Sequence, residues 1–109
     1  DDLGDSLDSV EALIKKHEDY EKSLATQSET VKNLDNFATR LINGQHYAKD
    51  DIEKHRQALL KRRSELLEKA AKRRQMLDDS YQWQQFERDF HEIKGLIVEK
   101  LNFSFMNLF

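Results

Sequence analysis

"MLDDSYQWQQFERDF", Met76 to Phe90, decides how many helices this chain contains. Two aspartates and a serine have the composition of a helix start, yet neither proline nor glycine interrupts the helical pattern that precedes them. Either one helix ends near Asp78 and another begins, or a single helix runs through. Beyond the stretch, Trp83, Phe86, Phe90, Ile93, Ile97 and Lys100 recur at helical spacing, with Leu96 beside them. With no breaker between two helical patterns, local chemistry predicts continuity.

The rest of the composition supports helices. Of 109 residues, 36% are charged and 9% aromatic, with three glycines and no proline. Rich in Glu, Lys, Leu, Ala and Arg, the chain is expected to be all-α, with a thin core and a large polar surface. Its length suits one domain. The absence of cysteine removes disulfides and thiolate zinc sites and fits a reducing compartment, with the cytosol as the default expectation. No export signal and no apolar run of membrane-spanning length is visible.

Charge is unevenly spread. Residues 1–48 sum to about −5, 49–77 to about +5 and 78–109 to about −3. An acidic helix beside a basic one steers their pairing. "KRRSELLEKAAKRR", Lys61 to Arg74, has the charge to meet phosphates of lipid or nucleic acid, through Arg62, Arg63, Lys69, Arg73 and Arg74. Interspersed Glu65 and Glu68, and the lack of stacking aromatics, argue against nucleic acid.

Periodicity then divides the chain. Val10, Leu13, His17, Tyr20, Leu24, Gln27, Val31, Leu34, Ala38 and Leu41 follow a 3-4 spacing, the seam of one long helix. Ile14, Phe37 and Ile42 widen that seam, so the helix is expected to touch two neighbours, as in a three-helix bundle. Asp8 with Glu11 has the spacing of a reciprocal cap at its start, and Gly44 is expected to take the left-handed conformation at its end. Asp50 with Glu53 repeats the capping pattern. The short connection makes the two helices antiparallel neighbours.

The second helix continues with Ile52, Arg56, Leu59, Arg63, Leu66, Ala70, Arg73 and Leu77, broadened by Leu60 and Leu67. Arginines on this seam weaken it, although their aliphatic stems can cover apolar surface while the guanidinium reaches water.

Three segments, "DSLDSVEALIKKHEDYEKSL", "LDNFATRLINGQHYAKDDI" and "LLKRRSELLEKAAKRRQMLDDS", resemble the second and third helices of a spectrin repeat of the alpha-spectrin type. "QQFERDFHEIKGLIVEK" is similar to the opening of the first helix of the next repeat, so the likeness runs from Leu3 to Lys100. It implies an antiparallel helical bundle, with residues 1–80 a partial repeat, 81–100 the start of the following one and 101–109 an atypical apolar tail. Asp78, Asp79, Ser80 and Tyr81 would then form a continuous inter-repeat linker. The chain departs from the family at Arg63 and Leu96, where tryptophans are usual, which implies a core below the family norm.

The resemblance also implies a function. It points to an elongated cytoskeletal rod beneath the plasma membrane, pairing with a beta-spectrin chain and connected through it to actin. Because the first helix of the leading repeat is missing, the hairpin from Val10 to Leu77 would carry an open groove. Trp83, Phe86, Phe90, Ile93 and Ile97 are candidate interaction residues for it, and a homodimer by helix exchange or groove pairing is expected. A free-standing adaptor capturing a foreign helix, or a basic face binding phospholipid, is the alternative.

The tail "LNFSFMNLF" breaks the family pattern and is apolar without charge, the composition of an opportunistic end or of a short docking peptide. No phosphate-cradling glycine loop, nucleophile motif or paired catalytic carboxylates can be found, so no enzyme activity and no cofactor is expected. His17 lies on the seam and is expected to be a core histidine bonded to a neighbour. His46, His55 and His91 match no metal-site spacing.

Overall fold

The computed structural model describes residues 2–107. Two helices account for nearly all of them: α1, Leu7–Asn43, and α2, Lys49–Asn107. Among the described residues there is no strand. The fold is all-α, and α2 passes through Asp78–Tyr81 without interruption. The third helical segment is therefore an extension of α2 and not a separate helix.

The ends of the helices are built differently from what spacing alone suggests. At the start of α1 the cap is Ser6 with Ser9, not Asp8 with Glu11. The Ser9 amide donates to Ser6 Oγ at 3.2 Å, and the Ser6 amide donates to Ser9 Oγ at 3.0 Å. Ser9 Oγ also accepts from the Asp5 amide at 3.0 Å. Short hydroxyls reach these amides within one turn. Asp8 stays in the first turn, where a negative charge suits the helix dipole.

At the end of α1 the left-handed residue is Gln45, with φ 60°, and not Gly44. The His46 amide bonds the Leu41 carbonyl at 3.1 Å and the Gln45 amide bonds Ile42 at 3.1 Å. This two-bond closure places the positive φ one residue after the cap, hence on Gln45. Gly44 serves by lacking a side chain, since a Cβ there would lie 3.2 Å from the Arg40 carbonyl oxygen.

The start of α2 uses His46, whose Nδ1 accepts from the Ala48 amide at 3.1 Å, while Ile52 N–H bonds the Ala48 carbonyl at 2.9 Å. Asp50 and Asp51 sit inside the first turn. Glu53 turns away to Arg56 and Gln57, so the expected Asp50–Glu53 cap is not formed.

Contacts divide the chain into two compact units, Lys15–Gln75 and the remainder, with residues up to Ile14 joined by those from Met76 onward. In the first unit α1 and α2 are antiparallel, and Leu24, Ala38 and Ala70 are buried with His17. In the second, Val10 and Leu77 are the most deeply buried side chains. Gly4, at φ 84°, brings the chain so close to Val10 that a Cβ would meet Val10 Cγ2 at 2.6 Å. Only glycine fits there.

Candidate functional site

Along the hairpin of residues 15–75 the two helices exchange side chain-to-backbone hydrogen bonds. His17 Nε2 donates to the Ala70 carbonyl at 2.9 Å, and Arg63 Nη2 donates to the Leu24 carbonyl at 3.2 Å. Each bond links positions whose numbers sum to the same value, one heptad apart on both helices. They therefore mark one antiparallel register. Ion pairs flank them, Arg74 Nη1 to Glu21 Oε1 at 2.8 Å and Arg56 Nε to Asp35 Oδ1 at 2.5 Å. Asp35, by hydrogen bond and by charge, raises the Arg56 pKa above its ordinary value.

These bonds bear on the basic run. Arg63 and Arg74 reach across to α1, and Lys72 lies 3.8 Å from Glu68 on its own helix. Of the five residues that sequence assigns to a phosphate-binding face, Arg63 and Arg74 are thus engaged across the hairpin. No described side-chain nitrogen or oxygen is buried without a partner.

The seam residues divide by how many neighbours they find. Val10, His17, Leu24 and Leu77 are buried, and Leu13, Val31, Leu41 and Ile52 half-buried. Tyr20, Leu34, Leu59 and Leu66 are exposed, Leu34 at 54%. A seam wide enough for two partners has only one here, so its outer edge faces solvent. Leu34, Phe37, Ala38, Leu41, Ile52 and Leu59 line an open groove of roughly 350 Å³ with almost no polar wall, with the Asp35–Arg56 pair on its rim. Phe37, half exposed, has the Arg40 guanidinium 5.7 Å from its ring centre. Leu59 continues the same face into a second groove bordered by Val31, Leu66, Arg62 and Lys69.

A second apolar surface lies on the extension of α2. Trp83, Phe86, Phe90, Ile93 and Ile97 are all more than half exposed. The first three form a ladder of stacked rings, with centroids 5.9 and 6.0 Å apart. Asp78, Asp79, Ser80 and Tyr81, which precede it, are helical, and two of them are tied to residues nearer the start of the chain. Ser80 Oγ donates to the Leu3 carbonyl at 2.7 Å, and Tyr81 OH reaches Glu11 Oε1 at 3.4 Å.

The apolar tail continues α2 as far as Asn107, with Leu101, Phe103, Phe105 and Met106 exposed. Leu108 and Phe109 lie outside the described residues. Among the described residues no group of three or more acidic, histidine or cysteine side chains could hold a metal ion, and no helix is long and apolar enough to cross a membrane.

Sequence reasoning expected His17 to be a core histidine bonded to a neighbour, as its bond to Ala70 has it, but read Arg63 as a weak seam position and not as a bond across the hairpin. It missed Ser6, Ser9 and Gln45, whose roles depend on backbone geometry at helix ends. The pair Ser6–Ser9 has the spacing of a capping box, and that spacing was the available signal.

Residues 1–79 match the spectrin repeat family. Over 100 residues the chain is 44% identical to the "Spectrin alpha chain, erythrocytic 1" of Mus musculus, covering 92% of this chain and 4% of that protein. Over 101 residues it is 23% identical to the "Spectrin beta chain" of Drosophila melanogaster, covering 93% of this chain and again 4% of the relative. The chain thus spans about 4% of the length of these relatives. No solved structure matches.

Proposed function

The chain belongs to the spectrin repeat family, and on that premise we propose that it is a structural module of a spectrin-type cytoskeletal rod, without a catalytic step. The observation that carries this reading is the unbroken course of α2 through Asp78–Tyr81. A continuous helix transmits tension and bending between successive packed units, where a flexible linker would not. In this reading residues 1–80 are the second and third helices of one repeat, 81–100 begin the next, and 101–109 form a divergent end. Asp78, Asp79, Ser80 and Tyr81 are the inter-repeat linker, held in place by the Ser80–Leu3 and Tyr81–Glu11 bonds.

The mechanism is mechanical. Few side chains are fully buried, and one seam position that could hold a large aromatic carries Arg63, so the hairpin opens at modest load and closes again when the load is removed. The expected setting is the inner face of the plasma membrane, with a beta-spectrin chain as lateral partner and actin reached through that partner. Single-molecule stretching of the chain tests the role. Repeated unfolding and refolding at low force is expected, and a chain that does not regain its helices after extension would overturn it.

For the isolated chain we further propose a second copy as partner. The exposed ridge from Trp83 to Ile97 would fill the open groove lined by Leu34, Phe37 and Leu59 of the other copy, and the reverse. Burying half-exposed ridges on both sides of two such contacts removes on the order of 2,000 Å², within the range of stable dimers. Sedimentation at high micromolar concentration is expected to give a dimer. A monomer there overturns the pairing and leaves the mechanical role standing.

A further inference from the structure

Of the five asparagines in the chain, Asn43 alone precedes a glycine, and the structure puts that pair at the closing turn of α1. Asn33, Asn36, Asn102 and Asn107 are each followed by leucine or phenylalanine. The distinction matters because an asparagine side chain is attacked by the backbone nitrogen of the next residue, and only glycine leaves that approach unobstructed. Asn43 is solvent-exposed, so water and base have access to it.

The turn holds this chemistry in check. The Gly44 amide, the nucleophile, donates to the Arg40 carbonyl at 2.9 Å, which ties up its proton and keeps Asn43 helical. The bonds from Gln45 to Ile42 and from His46 to Leu41 close the turn around it. Two features keep the lock weak. Gln45 is held at φ 60°, a conformation that a residue with a Cβ adopts at a cost. The last turn of a helix also frays more readily than its middle.

We propose that Asn43 is a site of spontaneous deamidation gated by the closing turn of α1, so that opening of the hairpin is recorded as a permanent covalent change. On opening, the Gly44 nitrogen loses its proton to base and attacks Asn43 Cγ. The adduct expels the side-chain nitrogen as ammonia and leaves a five-membered cyclic imide. Water opens the imide at either carbonyl, giving aspartate or isoaspartate at position 43. No oxidant, metal or enzyme is required.

The product does not fit the turn it came from. A new negative charge at the C-terminus of α1 opposes the helix dipole. Isoaspartate also inserts an extra carbon into the backbone, so the bonds to Leu41 and Ile42 cannot both re-form. Each chain that carries isoaspartate therefore has a permanently loosened hairpin turn. In a module that opens under load, the fraction modified integrates the time spent open.

The test is peptide mapping by mass spectrometry of the full chain held at mildly alkaline pH, once in buffer and once in urea. Conversion at Asn43, with isoaspartate among the products, is expected to be at least about tenfold slower in the folded chain than in urea. The other asparagines should lag behind it in both. Gln45→Gly, which relieves the strained residue, should slow conversion in the folded chain by about fivefold and leave the urea rate unchanged. Gly44→Ala should suppress it even in urea. Equal rates in buffer and urea, or an unmodified Asn43 in urea, would overturn the proposal.

Discussion

His17 on α1 donates from Nε2 to the carbonyl of Ala70 on α2 at 2.9 Å, a side chain from one helix bonded to the backbone of the other. The bond sets the hydrogen on Nε2 and uses the imidazole's polar edge inside the interface, where His17 is 9% exposed. It ties the sequence position of one helix to that of its neighbour, which apolar contacts alone do less specifically.

Removing that tie should be costly. His17→Ala is expected to destabilise the hairpin by about 2 kcal/mol, from the lost packing of the ring and one lost hydrogen bond. The Ala70 carbonyl remains an acceptor within α2, so no larger penalty arises. Urea unfolding followed by circular dichroism checks this, and a midpoint unchanged from the parent chain would contradict it.

Arg63 makes the return bond to Leu24 one heptad away. Arg63→Ala should cost about 1 kcal/mol, through its aliphatic stem as well as its charge-assisted bond. Arg63→Lys should recover only part, because a compact ammonium lacks the planar fork that reaches the carbonyl from the half-buried stem. The same urea titration separates the two variants.

Gln45 occupies the left-handed position that glycine usually fills. Gln45→Gly is expected to stabilise the hairpin by up to about 1 kcal/mol, less a small loss from the exposed bond that Lys49 Nζ makes to Gln45 Oε1. Thermal unfolding should show a higher midpoint, and a lower one would mean that the strain is not stored there.

Continuity of α2 is tested at Ser80. Ser80→Pro removes a backbone donor, clashes with the preceding turn and deletes the hydroxyl bonded to Leu3, at a cost of about 3 kcal/mol. Hydrogen exchange should quicken on both sides of position 80 while protection around His17 and Ala70 persists. Unaltered exchange near position 80 would show that the helix is already broken there.

The ridge on the extension of α2 makes a separate prediction. Replacing Trp83, Phe86 and Phe90 together by serine should leave the hairpin's bonds intact, since none of those rings takes part in them. It should abolish self-association. Sedimentation of the triple variant beside the parent chain reads this directly, and a variant that still dimerises would place the contact elsewhere.

Much of this molecule is local. The 3-4 spacing from Val10 to Leu41, the lack of proline throughout and the absence of any breaker between Met76 and Phe90 determined two long helices and the continuity of the second, because helix formation depends on neighbours within a few residues. The family was legible for the same reason, in runs such as Ser9 to Leu24. Tertiary structure alone decided the rest. Spacing cannot tell which seam residues stay buried: Leu24 is covered while Leu34 is open, although both lie on the one seam that α1 turns to its single neighbour. Nor can it give the offset between two antiparallel helices, which brings His17 to Ala70 and Arg63 to Leu24. The left-handed residue fell on Gln45 instead of Gly44 because the closing hydrogen bonds of α1, and not residue preference, set where the backbone must turn.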